Sequence, residues 1–178
     1  MACSWQSNLP YNVQKQHNNA NMEDRLLNIL LVEDDSVDVM NVQRAFSKNH
    51  ITNPLHVAYN GVEALNMLRG QNGKPKLSPT PRIILLDINM PKMNGLEFLK
   101  ELRSDPELQS ISVFVMTTSN DEQDKIEAYR LNVAGYILKP LSFEKFVAAV
   151  SILNSYWKLC VQPEQEGIVL GPKNGYFE

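Results

Sequence analysis

Ile29-Leu30-Leu31-Val32 runs straight into Glu33-Asp34-Asp35, and that junction decides the fold. Four consecutive apolar residues are too few for a buried helix and suit a strand covered on both faces. A helical spacing follows at once, with Val39, Val42 and Phe46 on one face of a segment over 36–48. The same junction recurs downstream. Ile83-Ile84-Leu85-Leu86 leads into Asp87, Val113-Phe114-Val115-Met116 into Thr117, and Tyr136-Ile137-Leu138 into Lys139-Pro140. Strands are expected at roughly 28–33, 55–59, 82–87, 111–117 and 136–138. Helices are expected at roughly 36–48, 61–69, 94–104, 121–132 and from Ser142 to Leu159. Alternation of this kind predicts an α/β fold, a doubly wound five-stranded parallel sheet with five helices. The carboxyl ends of parallel strands share one edge, so the polar residues that end them converge on one pocket. Three carboxylates with a lysine and a hydroxyl make a site for a divalent cation and a phosphoryl group.

Composition narrows the class. The chain has 178 residues, 43% hydrophobic and 21% charged, which suits a soluble globular protein with a real core. A formal net charge of -3 argues against a general polyanion binder, so no nucleic-acid partner is expected. Cys3 and Cys160 lie in unlike contexts without metal spacing and read as thiols of a reducing compartment. No apolar run resembles a signal core or a bilayer span, so a cytoplasmic protein without a membrane partner is expected. Residues 1–25 are rich in Asn and Gln and read as a polar, disordered N-terminal extension in which Trp5 and Tyr11 are incidental. One domain over 26–160 follows, then a C-terminal tail over 161–178 broken by Gly167, Gly171, Pro172 and Gly175. Gly70 to Pro81 reads as a surface loop, and Ser119 with Glu122 as a capping box for the fourth helix.

Taken together, Leu-Val-Glu-Asp-Asp at 31–35, Leu-Asp-Ile-Asn-Met-Pro at 86–91, Asn94-Gly95, Thr117-Thr118 and Lys139-Pro140 resemble the receiver domain of two-component response regulators. The resemblance covers about Leu26 to Leu159 and implies the CheY-like form of the fold. By position it implies Mg²⁺ ligated by the side chains of Asp34 and Asp87, by the main-chain carbonyl of Asn89, and by Glu33 through a water. Asp87 would be the phosphoacceptor, and Lys139 would compensate phosphoryl charge. Thr117 would hydrogen-bond a phosphoryl oxygen, Tyr136 would be the switch aromatic, and Lys139–Pro140 a cis peptide. The wording Asp105-Pro106-Glu107-Leu108, Thr117-Thr118-Ser119 and Ser155-Tyr156-Trp157 is similar to the small regulators paired with cyanobacterial phytochromes. Thr118 is bulkier than the residue common there, which narrows access to Asp87.

The expected function is that of a single-domain response regulator, not an enzyme with an external substrate. A histidine kinase, with a phytochrome the candidate, phosphorylates Asp87, and an altered surface binds an unknown downstream protein. Past Leu159 the chain is expected to have no room for a DNA-binding output domain. A dehalogenase-type phosphatase shares the aspartate nucleophile but wants a second acid where Asn89 stands. A scaffold that dimerises without phosphorylation is the other alternative, and the intact acid set argues against it. Tyr156 and Trp157 extend the last helix past its core stripe, so they are expected at or near a homodimer interface.

Overall fold

The structure, a computed structural model, describes residues 27–139 and 142–159. In chain order the elements are β1 (Ile29–Val32), α1 (Ser36–Lys48), β2 (Leu55–Ala58), α2 (Gly61–Arg69), β3 (Ile83–Leu86), α3 (Gly95–Ser104), β4 (Ser112–Thr117), α4 (Glu122–Arg130), β5 (Gly135–Leu138) and α5 (Phe143–Leu159). All strand pairs are parallel, in the order β2-β1-β3-β4-β5. The two expected termini, 1–25 and 161–178, lie outside the described residues, as does the bond to Pro140. Among the described residues no helix is long and apolar enough to cross a membrane.

Each central strand alternates its side chains between two cores, which is why its sequence is apolar throughout. Leu30, Val32, Ile84, Leu86, Val113 and Val115 pack with α2 and α3 residues such as Leu65, Leu68, Phe98 and Leu102. Ile29, Leu31, Ile83, Leu85, Phe114 and Met116 face Val42 and Phe46 of α1 and Val150 and Leu153 of α5. Register then sets the site. Val32 pairs Leu86, and Leu86 pairs Val115, so the first residues beyond β1 and β3 emerge side by side. The Asp87 amide donates to the Val32 carbonyl at 2.9 Å, extending the ladder by one bond beyond the strand.

Side chains cap the helices that open onto this edge. Asp35 accepts from the Val37 amide at 2.7 Å to start α1. Asn94 and Glu97 form a reciprocal capping box at α3. At α4 the expected box of Ser119 and Glu122 does not form. Asp121 is the cap, accepting from the Gln123 and Asp124 amides, because it directly precedes the first helical residue. Ser119 turns instead to Asp124, donating to Oδ2 at 2.7 Å.

Trp157 also departs from expectation. It is 4% exposed, its ring centroid lies 6.4 Å from that of Phe46, and its indole N–H donates to Asn154 Oδ1 at 3.0 Å. It therefore has an internal partner and belongs to the core between α1 and α5. Tyr156, one position round the helix, is 53% exposed while its ring packs T-shaped against that of Phe114, centroids 5.8 Å apart. Only Tyr156 is left to serve a surface role.

Candidate functional site

Glu33, Asp34 and Asp87 come together at the carboxyl edge of the sheet, where one oxygen of each lies within 4.8 Å of the others. Glu33 and Asp87 are buried and Asp34 is exposed. Burying carboxylates is costly unless charge and hydrogen bonds compensate. The compensation is Lys139, which leaves the end of β5. Its Nζ lies 2.6 Å from Glu33 Oε2, 2.6 Å from Asp38 Oδ2 and 3.6 Å from Asp87 Oδ1. The last distance is an ion pair without a hydrogen bond. Asp87 Oδ2 accepts from the Asn89 amide at 3.0 Å, while Oδ1 is buried and has no hydrogen-bond partner.

The electrostatics follow from one ammonium facing several acids. Burial first, and then the nearby Asp87 charge, push the Glu33 carboxyl up to about 7 against the pull of Lys139. Burial opposes the charged form of Lys139, but Asp38, Glu33 and Asp87 outweigh it and hold the ammonium above its usual range. A carboxyl whose folded value lies above its unfolded one stabilises the fold at low pH and loses that contribution as pH rises through the folded value. Glu33 therefore penalises the metal-free protein above pH 7, and the penalty is fully relieved below about 4.5. Roughly 2–3 kcal/mol should be at stake across this window. Urea unfolding of the metal-free wild type and Glu33→Gln between pH 5 and 8 should show the variant gaining relative stability toward pH 8. Parallel stability–pH curves would contradict this.

Thr117 closes β4, fully buried, one position further out than the level of Asp87. Its Oγ1 accepts from the Ser119 amide at 3.2 Å, and its carbonyl accepts from the Lys139 amide at 2.8 Å. The Tyr136 hydroxyl donates to the Ser119 carbonyl at 3.0 Å, and burial pushes its ionisation up. Ser119 thus joins Thr117, Tyr136 and Asp124 through three separate atoms. Asn89 is exposed beside the cluster. Tyr156 and Trp157 sit on α5 and take no part in it.

Asp38 was not foreseen. An acid in the first turn of α1 reads simply as a complement to the helix dipole, and only the folded chain brings it to Lys139. Gly95 has a role beyond turn chemistry. Its amide donates to the Ile88 carbonyl at 2.9 Å, and a Cβ there would overlap the Asp87 carbonyl oxygen and lie 2.9 Å from Ile88 Cα.

Residues 29–151 match the response regulator receiver domain. Among curated proteins, response regulator Rcp1 of Synechocystis sp. is 38% identical over 129 residues, covering 72% of this chain and 87% of that protein. Among solved structures, the phosphorylated cyanobacterial phytochrome response regulator RcpA aligns with a TM-score of 0.70 at 32% identity, over 76% of this chain and 96% of that one. The Mn²⁺-bound form of Rcp1 aligns with a TM-score of 0.67 at 34% identity, over 76% and 97%.

Proposed function

The chain belongs to the response regulator receiver family, and from that premise we propose that it is a phosphorylation switch built around one receiver, taking its phosphoryl group from a histidine kinase on Asp87. The observation that carries this reading is the buried, unpartnered Asp87 Oδ1 set between two further carboxylates and Lys139. A receiver-like segment also occurs in hybrid signal transduction histidine kinase D of Dictyostelium discoideum. The likeness to the cyanobacterial phytochrome response regulator RcpA supports a phytochrome as the kinase. We place the protein in the cytoplasm, with no external substrate of its own.

The donor set fits a hard divalent cation, since it is all oxygen and includes an orphaned buried one. Asp34 and Asp87 would hold Mg²⁺ with their side chains, Asn89 with its main-chain carbonyl, and Glu33 through a water. Bound there, the cation supplies charge neutralisation for the phosphoryl oxygens. The protein groups do the rest by position. Asp87 attacks phosphorus through a carboxylate oxygen, forming the O–P bond of an acyl phosphate as the N–P bond of phosphohistidine breaks and the imidazole leaves. Lys139 offsets the added negative charge.

Signalling starts from the Thr117 hydroxyl, whose oxygen accepts from the Ser119 amide and whose own proton is left to donate to a phosphoryl oxygen. A shift of the hydroxyl then pulls on the Ser119 loop. Ser119 also holds the Tyr136 hydroxyl, so the ring loses a fixed acceptor when that loop moves. The output face would be α4, β5 and α5, where Ile126, Tyr129, Leu138, Ile152 and Tyr156 expose apolar surface. We place a two-fold homodimer on this face. Light scattering should give twice the chain mass, and Tyr156→Asp should weaken association, whereas Thr117→Ala should uncouple phosphorylation from amide-exchange changes over 117–139. A wild type that stays monomeric at high concentration in both states would remove the dimer. Unchanged exchange in the Thr117 variant would remove the route.

The function itself is tested with a small phosphodonor. Wild type should gain one phosphoryl group by intact mass only with Mg²⁺, and Mg²⁺ should raise its melting temperature by binding the folded site. Asp34→Ala should lose most of both responses. A variant that responds as wild type does would show that Asp34 is not a ligand.

A further inference from the structure

We infer that Asp38 is a positioning residue that holds the Lys139 ammonium away from Asp87 until a phosphoryl group claims it. This deepens the phosphoacceptor reading and rests on it. Lys139 Nζ is shared at 2.6 Å between Asp38 Oδ2 and Glu33 Oε2 and lies 3.6 Å from Asp87 Oδ1. The nucleophile therefore receives the charge of the lysine without its hydrogen bond, and its Oδ1 is left unpartnered. Asp38 is the more solvated of the two carboxylates bonded to the ammonium, with its side chain 32% exposed against 3% for Glu33. It is the one that can release the ammonium to solvent at small cost. Its position serves this, because it lies in the first turn of α1, just past the Asp35 cap. Asp38, Lys139 and Asp87 line one small cleft, together with Glu33, Val42 and Phe146. Within it the ammonium can exchange one carboxylate partner for a phosphoryl oxygen on Asp87. Transfer of Lys139 from Asp38 to the phosphoryl group is then part of activation, and the Asp38 pair opposes it.

Two measurements test this. The first is the affinity of the Mg²⁺-loaded full chain for beryllofluoride, a phosphoryl mimic, in wild type, Asp38→Asn, Lys139→Met and the double variant. Asp38→Asn should bind about two- to fivefold tighter, the range of a solvent-exposed ion pair. The gain should vanish in the Lys139→Met background, because Asp38 acts through the lysine. Equal affinity in Asp38→Asn and wild type, or a gain that persists without the lysine, would overturn the inference. The second needs no anion or metal. The side-chain ammonium resonance of Lys139 should be slow-exchanging in wild type and should broaden or shift in Asp38→Asn. An unchanged resonance would overturn the pairing. If wild type fails to bind beryllofluoride at all, the phosphoacceptor reading falls, while the ammonium resonance still decides whether Asp38 holds Lys139.

Discussion

Asp87→Asn is expected to abolish phosphoryl uptake while leaving the fold intact. The amide is nearly isosteric and keeps an oxygen to accept from the Asn89 amide, so the turn after β3 has no reason to move. What it loses is the nucleophile, since a carboxamide oxygen cannot form a stable acyl phosphate. It also removes one of the charges that push the Glu33 carboxyl up, so folding stability should hold or rise. Incubation with Mg²⁺ and a small phosphodonor should leave the mass of the variant unchanged. Denaturant unfolding should give a midpoint at or above that of wild type. An undiminished mass gain would mean that a different side chain accepts the phosphoryl group.

Gly95→Ala should damage the protein twice over. The new Cβ would collide with the Asp87 carbonyl and the Ile88 Cα, both main-chain atoms that cannot rotate away. Relief requires α3 to lift from the end of β3, loosening the Gly95 amide bond to Ile88 and the turn that carries the nucleophile. Overpacking against backbone should cost about 2–4 kcal/mol. Phosphoryl uptake should slow as well, because Asp87 lies directly in the displaced segment. Gly73→Ala is a useful control, since a Cβ at that position meets nothing within 4 Å, although its φ of +77° imposes a local strain of its own. A Gly95 variant within about 0.5 kcal/mol of wild type, the ordinary surface range, would contradict the close approach.

The strands and the acids that end them were legible because the physics is local. An apolar run buried on both faces leaves few assignments open, and a parallel sheet gathers strand ends at one edge. Glu33, Asp34, Asp87 and Lys139 do meet there. Trp157 was misplaced although its signal was present. Phe146, Val150, Leu153 and Trp157 recur at steps of four, three and four, so the buried stripe of α5 continues to the indole. Tyr156 falls off that stripe. The α4 cap was open to competition between neighbouring residues, and Asp121 won by adjacency. The Asp38–Lys139 pair was not legible at all. Its partners are 101 positions apart, and nothing in α1 distinguishes an acid that meets a lysine from one that merely faces solvent. Local pattern locates such elements, whereas ion pairs depend on which edges the completed fold brings together.

The most direct test locates the phosphoryl group itself. Wild type treated with phosphodonor and Mg²⁺ is reduced with borohydride, which converts an acyl phosphate to the corresponding alcohol, and the peptides are then sequenced by mass. Homoserine should replace aspartate at position 87 and nowhere else. Reduction at Asp34 or at any other acid, or a phosphoryl group that resists borohydride, would contradict an acyl phosphate on Asp87.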